Sequence, residues 1–264
     1  MSGESWIAPW RRAWLAALGL LVLAFLVLPV FIVLPMSFSD SQYLEFPPRA
    51  WSLRWYRAYL GSGEWMSATR VSLAAAFLTT LLATPLGLAA AYGLHRAGGR
   101  AARLARAALV APLVVPVIIL AIGVFYLYVR LGLVNTMAGL VLAHTALALP
   151  FVVVLVDAGL RRIDLDQERV ARSLGAPPLR AFATVVLPQL ERSVVAAALL
   201  AFVTSLDEVV VALFVSGGAM STLTRRMFTG LRDQVDPTIA AISSLLILLS
   251  VGLLGGAQLL LRRR

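Results

Sequence analysis

Six predominantly apolar stretches recur along this chain, at roughly 13–35, 69–94, 107–129, 138–158, 193–215 and 238–260, with short polar segments between them. A helix rises roughly 1.5 Å per residue, so about 20 apolar residues cross a hydrocarbon core about 30 Å thick. In that medium the backbone must satisfy its own hydrogen bonds, which a helix does within one segment. The pattern predicts an all-α membrane protein with six transmembrane helices: a segment 1–12, then one membrane domain over 13–264.

Composition agrees with a chain dissolved in lipid. Of its 264 residues 60% are hydrophobic and 14% charged, and the mean hydropathy is +0.88. A soluble domain of this size could not bury so much apolar surface. All 23 cationic residues are arginine, and their placement orients the spans. Arg11 and Arg12 precede the first stretch, and Arg96, Arg100, Arg103 and Arg106 lie between the second and third. Arg161, Arg162, Arg169, Arg172, Arg180 and Arg192 lie between the fourth and fifth, and Arg262, Arg263 and Arg264 close the chain. The positive-inside rule puts these segments, and both termini, on the cytoplasmic side of the membrane. The net charge of +10 follows this topology and forms no basic stripe interleaved with aromatics, so lipid is the expected partner and nucleic acid is not.

Arg11-Arg12 before an apolar run could open a secretory signal. The run exceeds the roughly 7–15 residues of such a segment, and no small-x-small cleavage pattern follows, so it is assigned as a helix. Trp6, Trp10 and Trp14 around its start suit the headgroup level. Residues 36–68, with Pro47-Pro48, Trp51, Trp55 and Tyr56, predict a short amphipathic element anchored by aromatics at the outer surface. Pro85, Pro112, Pro116 and Pro150 fall inside predicted spans and are expected to kink them.

The missing residue types limit the chemistry. Without lysine there is no phosphate-cradling Walker loop, so ATP, if it drives the protein, is bound elsewhere. There is no cysteine and no His-Glu-x-x-His, and only His95 and His144 could serve as an imidazole base. No enzyme activity, metal site or cofactor is expected on this chain.

Between the fourth and fifth spans the sequence is polar with helical grammar. Asp164 can cap a helix with Gln167 three residues on, as in a capping box, and Gly175 can close it in a left-handed conformation. Val170, Ala171 and Leu174 share one face. Pro177-Pro178 can start a second helix with Leu179, Phe182 and Val186 on one face, ended by Pro188. Glu168-Arg169-Val170-Ala171-Arg172-Ser173-Leu174-Gly175, followed by Val185-Val186-Leu187-Pro188, resembles the EAA loop of binding-protein-dependent ABC importer permeases. The family pattern is Glu-Ala-Ala, three residues, Gly, nine residues, Ile-x-Leu-Pro. Gly175, Ala171, Leu187 and Pro188 match it, and Val185 stands for the Ile. The chain departs at the front: the family's Glu falls on Arg169 and its first Ala on Val170, while Glu168 sits one position earlier.

The resemblance implies a type I importer permease fold, with a family core over about 67–260 and a cytoplasmic coupling helix in a loop over about 161–190. It also implies the partners: ABC ATPase subunits holding ATP and Mg, a second permease subunit, a different chain or an identical one, and a periplasmic solute-binding protein. Glu168, Arg169, Ala171, Gly175, Leu187 and Pro188 are then the residues coupled to the ATPase.

The fifth span carries Asp207 and Glu208 within apolar sequence. A charge at membrane depth costs about 2.5–3.5 kcal/mol on the insertion scale, so such residues face a cavity or a partner. The two stand about 100° apart around a helix, and spacing does not select which faces a pathway. Thr204 is a further pathway candidate, and His144 in the fourth span is a candidate partner; a lone intramembrane His is otherwise a packing residue. Asp157, four residues before Arg161, is expected to make a surface ion pair. The stretch Ser205-Leu206-Asp207-Glu208-Val209-Val210-Val211 resembles the spermidine/putrescine branch of these permeases, as do Asp236-Pro237-Thr238-Ile239-Ala240-Ala241 and Ser52-Leu53-Arg54-Trp55-Tyr56. It implies a polyamine or related small organic cation as substrate. A proton-coupled secondary carrier would use the carboxylates but leaves the loop without a role. Gly175→Leu is expected to abolish solute uptake while the protein still inserts in the membrane. Normal uptake by that variant would contradict the coupling role of the loop.

Overall fold

The computed structural model describes residues 9–233 and 236–262, with side chains from Ala13 to Leu259. Trp6, Arg263 and Arg264, and the side chains of Trp10, Arg11, Arg12 and Arg262, lie outside the described residues. α1 (Pro9–Met36) is followed by α2 (Arg54–Gly61), α3 (Gly63–Ala97) and α4 (Gly99–Val110). α5 (Val117–Leu131) and α6 (Met137–Leu160) precede the loop helices α7 (Asp166–Ser173) and α8 (Pro178–Ala181), which lead into α9 (Leu187–Asp207). α10 (Val210–Val215), α11 (Leu223–Asp233) and α12 (Thr238–Arg262) follow.

Among the described residues, five helices are long and apolar enough to cross a membrane: Ala13–Met36, Gly63–Ala97, Met137–Leu160, Pro178–Asp207 and Thr238–Leu259. The predicted span 107–129 is not one helix. α4 runs into a 3-10 turn at Ala111–Leu113, and α5 departs at 98° to it. Pro116 caps α5 and has no N–H to continue the ladder back to Pro112, so the apolar run bends where the two prolines fall. Counted as one broken span, the pair makes the sixth. Pro85 and Pro150 instead stay inside α3 and α6. The run 193–215 is also interrupted, because Glu208 is extended and separates α9 from α10.

The chain divides into two compact units, one formed by residues up to Gly61 with Asp233–Leu249, the other by Ser62–Arg232 with the residues from Ser250. In the first, the span Ala13–Met36 of α1 is apolar all round and unburied within the chain, which suits a helix solvated by lipid or a partner. The amphipathic element expected in 36–68 is α2. Tyr56 and Ser37 hydroxyls hydrogen-bond at 2.7 Å, Phe38 packs 5.2 Å from the Tyr56 ring, and Trp55 Nε1 donates to the Ser41 carbonyl at 3.0 Å.

In the second unit α3, α6 and α9 pack on one another. α3 presents a small buried side chain at each fourth position, Ala75, Thr79, Ala83, Gly87 and Ala91, and α9 does the same with Ala197, Ala201 and Ser205. Lipid tails are as apolar as the side chains, so helices associate here by close van der Waals approach, which small residues permit. Val152, Val153, Val156 and Leu160 of α6 complete this core. A second cluster joins Ala121 and Tyr128 of α5 to Leu140 and Val141 of α6 and to Val211 and Val215 of α10. A methyl group added at Gly87 would lie 2.5 Å from Val152 Cγ1 and 2.7 Å from its Cβ. Gly87→Ala is expected to destabilise the purified protein by about 1–3 kcal/mol, as overpacking does, seen as a lower thermal midpoint. Gly93→Ala, which faces open space, should lower it not at all; equal midpoints for the two variants would contradict the close approach of α3 to α6.

Candidate coupling loop and membrane pathway

The loop helix α7 starts differently from its sequence expectation. Asp164 Oδ1 accepts the Asp166 N–H at 2.9 Å, and Leu165 is the cap residue without a side-chain bond. The capping box therefore does not form, and the Gln167 side-chain oxygen instead accepts from Gln189 Nε2 at 3.1 Å. Its end matches the expectation: Gly175 has φ +93°. The Ala176 N–H bonds the Ala171 carbonyl at 3.1 Å and the Gly175 N–H bonds that of Arg172 at 3.0 Å, a left-handed helix ending. A Cβ on Gly175 would meet open space, so glycine is required there by backbone conformation and not by crowding.

Pro177-Pro178 begins α8, as the sequence predicts, but Pro188 does not end that helix. A π-helical turn over Phe182–Val186, closed by the Leu187 N–H on the Phe182 carbonyl, carries the chain into α9. Leu187 and Pro188 form the first turn of α9, where a missing N–H leaves no ladder bond broken. Loop and span are thus one helical run from Pro178 to Asp207.

The side chains of α7 divide sharply. Val170 of α7, Leu174 just after it and Leu179 of α8 stand 57%, 83% and 79% exposed. Arg169 is exposed beside them, its guanidinium 2.6 Å from Asp166 Oδ1, and Ala171 is half-buried. Glu168 turns the other way and is buried. Its carboxylate accepts the Tyr92 hydroxyl at 2.7 Å to each oxygen and Arg96 Nη1 at 3.0 Å. Of the two residues at the departing front of the motif, only Arg169 is presented outward.

Within the membrane-spanning run, His144 is buried, and its Nδ1 lies 2.7 Å from the Ser205 hydroxyl, which bonds Thr79 Oγ1 at 3.4 Å. His144 therefore joins α6 to α9 and α3 instead of pairing with a carboxylate. Glu208 folds back on its own chain: its Oε2 accepts the Ala212 N–H at 3.1 Å at the start of α10, and its carbonyl accepts the Thr224 hydroxyl at 2.9 Å. Asp207, the last residue of α9, is exposed, and Thr204 is half-buried one turn before it. Of the two carboxylates Asp207 is the exposed one, and Glu208 is half-buried.

Asp157 is no surface pair. Its side chain is buried, and its carboxylate meets Arg161 at 3.0 Å, Arg106 at 2.8 Å and His95 at 3.7 Å, joining α3, α4 and α6. Sequence reasoning also missed Tyr92 and Arg96, although their four-residue spacing on a span end was a usable signal. It missed Arg226 as well, which pairs with Glu64 and lies 5.2 Å over the Trp65 ring, beside a polar cavity of about 410 Å³. Among the described residues no group of three or more His, Asp or Glu could hold a metal.

The family described as binding-protein-dependent transport system inner membrane component matches residues 83–264. The putrescine transport system permease protein PotI of Escherichia coli is 34% identical over 252 residues, covering 93% of this chain and 89% of that protein. The spermidine/putrescine transport system permease protein PotC of Haemophilus influenzae is 30% identical over 243 residues, 92% of this chain and 94% of the other. The molybdenum transport system permease protein ModB of Mycobacterium bovis is 32% identical over 78% of this chain and 81% of its own length. A solved bacterial ABC transporter involved in the import of the acidic polysaccharide alginate has the same fold, with TM-score 0.69 and 14% identity over 98% of both chains. With a spanning bundle, a loop carrying the motif at its family spacing and relatives that are transport permeases along nearly the whole length, the chain belongs to the family of binding-protein-dependent transport system inner membrane components.

Proposed function

We propose that this permease carries polyamines, putrescine or spermidine, inward, driven by a separate ATPase seated on the 161–190 loop. Two relatives named for these solutes support the substrate. On the chain itself, the observation that carries the reading is Asp207, an exposed carboxylate at a break in a membrane span. A carboxylate at that depth is costly unless it serves a partner, and an ammonium group is the complementary one. Glu208, whose carboxylate accepts the Ala212 N–H at the start of α10, holds the broken geometry.

The exposed Val170, Leu174 and Leu179 supply an apolar face for a groove on the ATPase, and Arg169 and Ala171 flank it. Gly175 sets the turn after α7, while Leu187 and Pro188 join the loop to α9. In this assembly ATP and Mg reside on the ATPase chains, a second, different permease completes the pathway and a periplasmic binding protein delivers the solute. The loop and both termini face the cytoplasm, as the arginine distribution indicates.

A second solute class is favoured by one observation, the similarity to a molybdenum permease. Uptake of labelled putrescine, spermidine and molybdate by cells lacking their own importers, with the full system expressed, separates the two. Polyamine uptake that requires an active ATPase is the expected result. Asp207→Asn should lower it by about tenfold or more, since a hydrogen bond to a charged group contributes about 1.5–3 kcal/mol. Molybdate uptake without polyamine uptake would overturn the substrate, and full polyamine uptake by Asp207→Asn would remove Asp207 from the pathway.

A further inference from the structure

α7 attaches to the body of the protein in an unusual way. Of its eight residues Glu168 alone is buried, at 3% exposure, Ala171 is half-buried and the others are exposed. A short helix would ordinarily be held by an inward apolar stripe. Here the inward residue is a carboxylate, which tolerates burial only when its charge and lone pairs are met.

Tyr92 and Arg96, one turn apart at the end of α3, meet those needs. The Tyr92 hydroxyl is 2.7 Å from both carboxylate oxygens, Arg96 Nη1 is 3.0 Å from one of them and donates to the Tyr92 hydroxyl at 2.9 Å. The guanidinium also lies 5.6 Å over the Tyr92 ring. The ring is 4.7 Å from Phe182, the first residue of the π turn leading to α9. The three polar groups therefore bond one another pairwise, and the aromatic member is packed against the other end of the loop.

A hydrogen-bonded triangle is directional where an apolar contact slides. The triangle joins α7 to α3, and α3 carries the small-residue stripe that meets α6 and α9. We propose that Glu168 is a positioning residue for energy coupling: through Tyr92 and Arg96 it makes α7 and the end of α3 one rigid body, so that loop movement becomes span movement. The proposal rests on the reading that an ATPase drives this loop.

The absence of native cysteine makes a doubly labelled test clean. Spin labels at Leu81→Cys on α3 and Ser173→Cys on α7, in the assembled importer, report their separation with and without ATP. The expected result is one narrow distance distribution, the same in both states, which broadens in Glu168→Ala and in Tyr92→Phe. In proteoliposomes Glu168→Ala should raise ATP hydrolysed per solute imported by about fivefold or more, the lower end of site-to-site coupling. Glu168→Gln, whose amide oxygen still accepts from Tyr92, should recover part of both properties. A Glu168→Ala protein with the narrow distribution and the native ATP ratio overturns the proposal. So does loss of ATPase co-purification with the distribution unchanged, which would make Glu168 a docking residue. Absence of any ATP-dependent uptake by the native importer would instead defeat the coupling reading, while the label distances in the chain would still decide whether the tie exists.

Discussion

Close approach of three helices in a medium that does not drive them together is the constraint on which this structure depends. Ala75, Thr79, Ala83, Gly87 and Ala91 give α3 a groove along its length, and Ala197 and Ala201 of α9 and Val152 of α6 fill the space. With no hydrophobic gain between helices in lipid, each missing side chain is exchanged for contact area. A polar chain in this core, His144 to Ser205 to Thr79, spans the same three helices. It adds direction to a contact that small residues alone leave free to slip.

A rigid bundle makes the loop consequential. α9 is not hinged to the loop but grows out of it through the π turn at Phe182–Val186, and α7 is tied to α3 by Glu168. α6 ends at that loop, α9 grows from it and α3 is tied to it through Glu168, so each of the three packed helices meets the loop that carries the family motif. At the other end of α9 the helix breaks at Glu208, whose carboxylate caps α10, and the cost of a broken backbone at membrane depth is offset within the chain. The rigid part and the open part of the fifth span lie about one helix length apart, an arrangement suited to driving one end from the other.

Much of this was legible in the residues. Apolar run length placed the spans at 13–35, 138–158 and 238–260 closely, whereas the helices read as 69–94 and 193–215 are Gly63–Ala97 and Pro178–Asp207; Gly175 was readable because a helix ending without a side-chain cap needs a left-handed residue. Three features were not legible, for physical reasons. Pro112 and Pro116 signalled a kink in the third span, but hydropathy continues unbroken through Val114-Val115-Pro116-Val117, so the size of the bend, 98°, was not readable. Pro188 looked like a terminator because an α ladder would lose a bond, but a preceding π turn removes that cost. Glu168 and Arg169 are adjacent letters on opposite faces, and only tertiary partners 72 and 76 positions distant decide which is inward. The same holds for Asp157, whose i+4 arginine is real but accompanied by Arg106 and His95 from two other helices.

The central claim is that the loop between α6 and α9 receives its drive through the exposed apolar face of Val170, Leu174 and Leu179. Co-purification of a tagged ATPase with the permease carrying Leu174→Glu and Leu179→Glu tests it most directly, because both side chains are exposed. Loss of the ATPase from a permease that remains in the membrane is the predicted result. Full recovery of the ATPase with the doubly charged loop would contradict it.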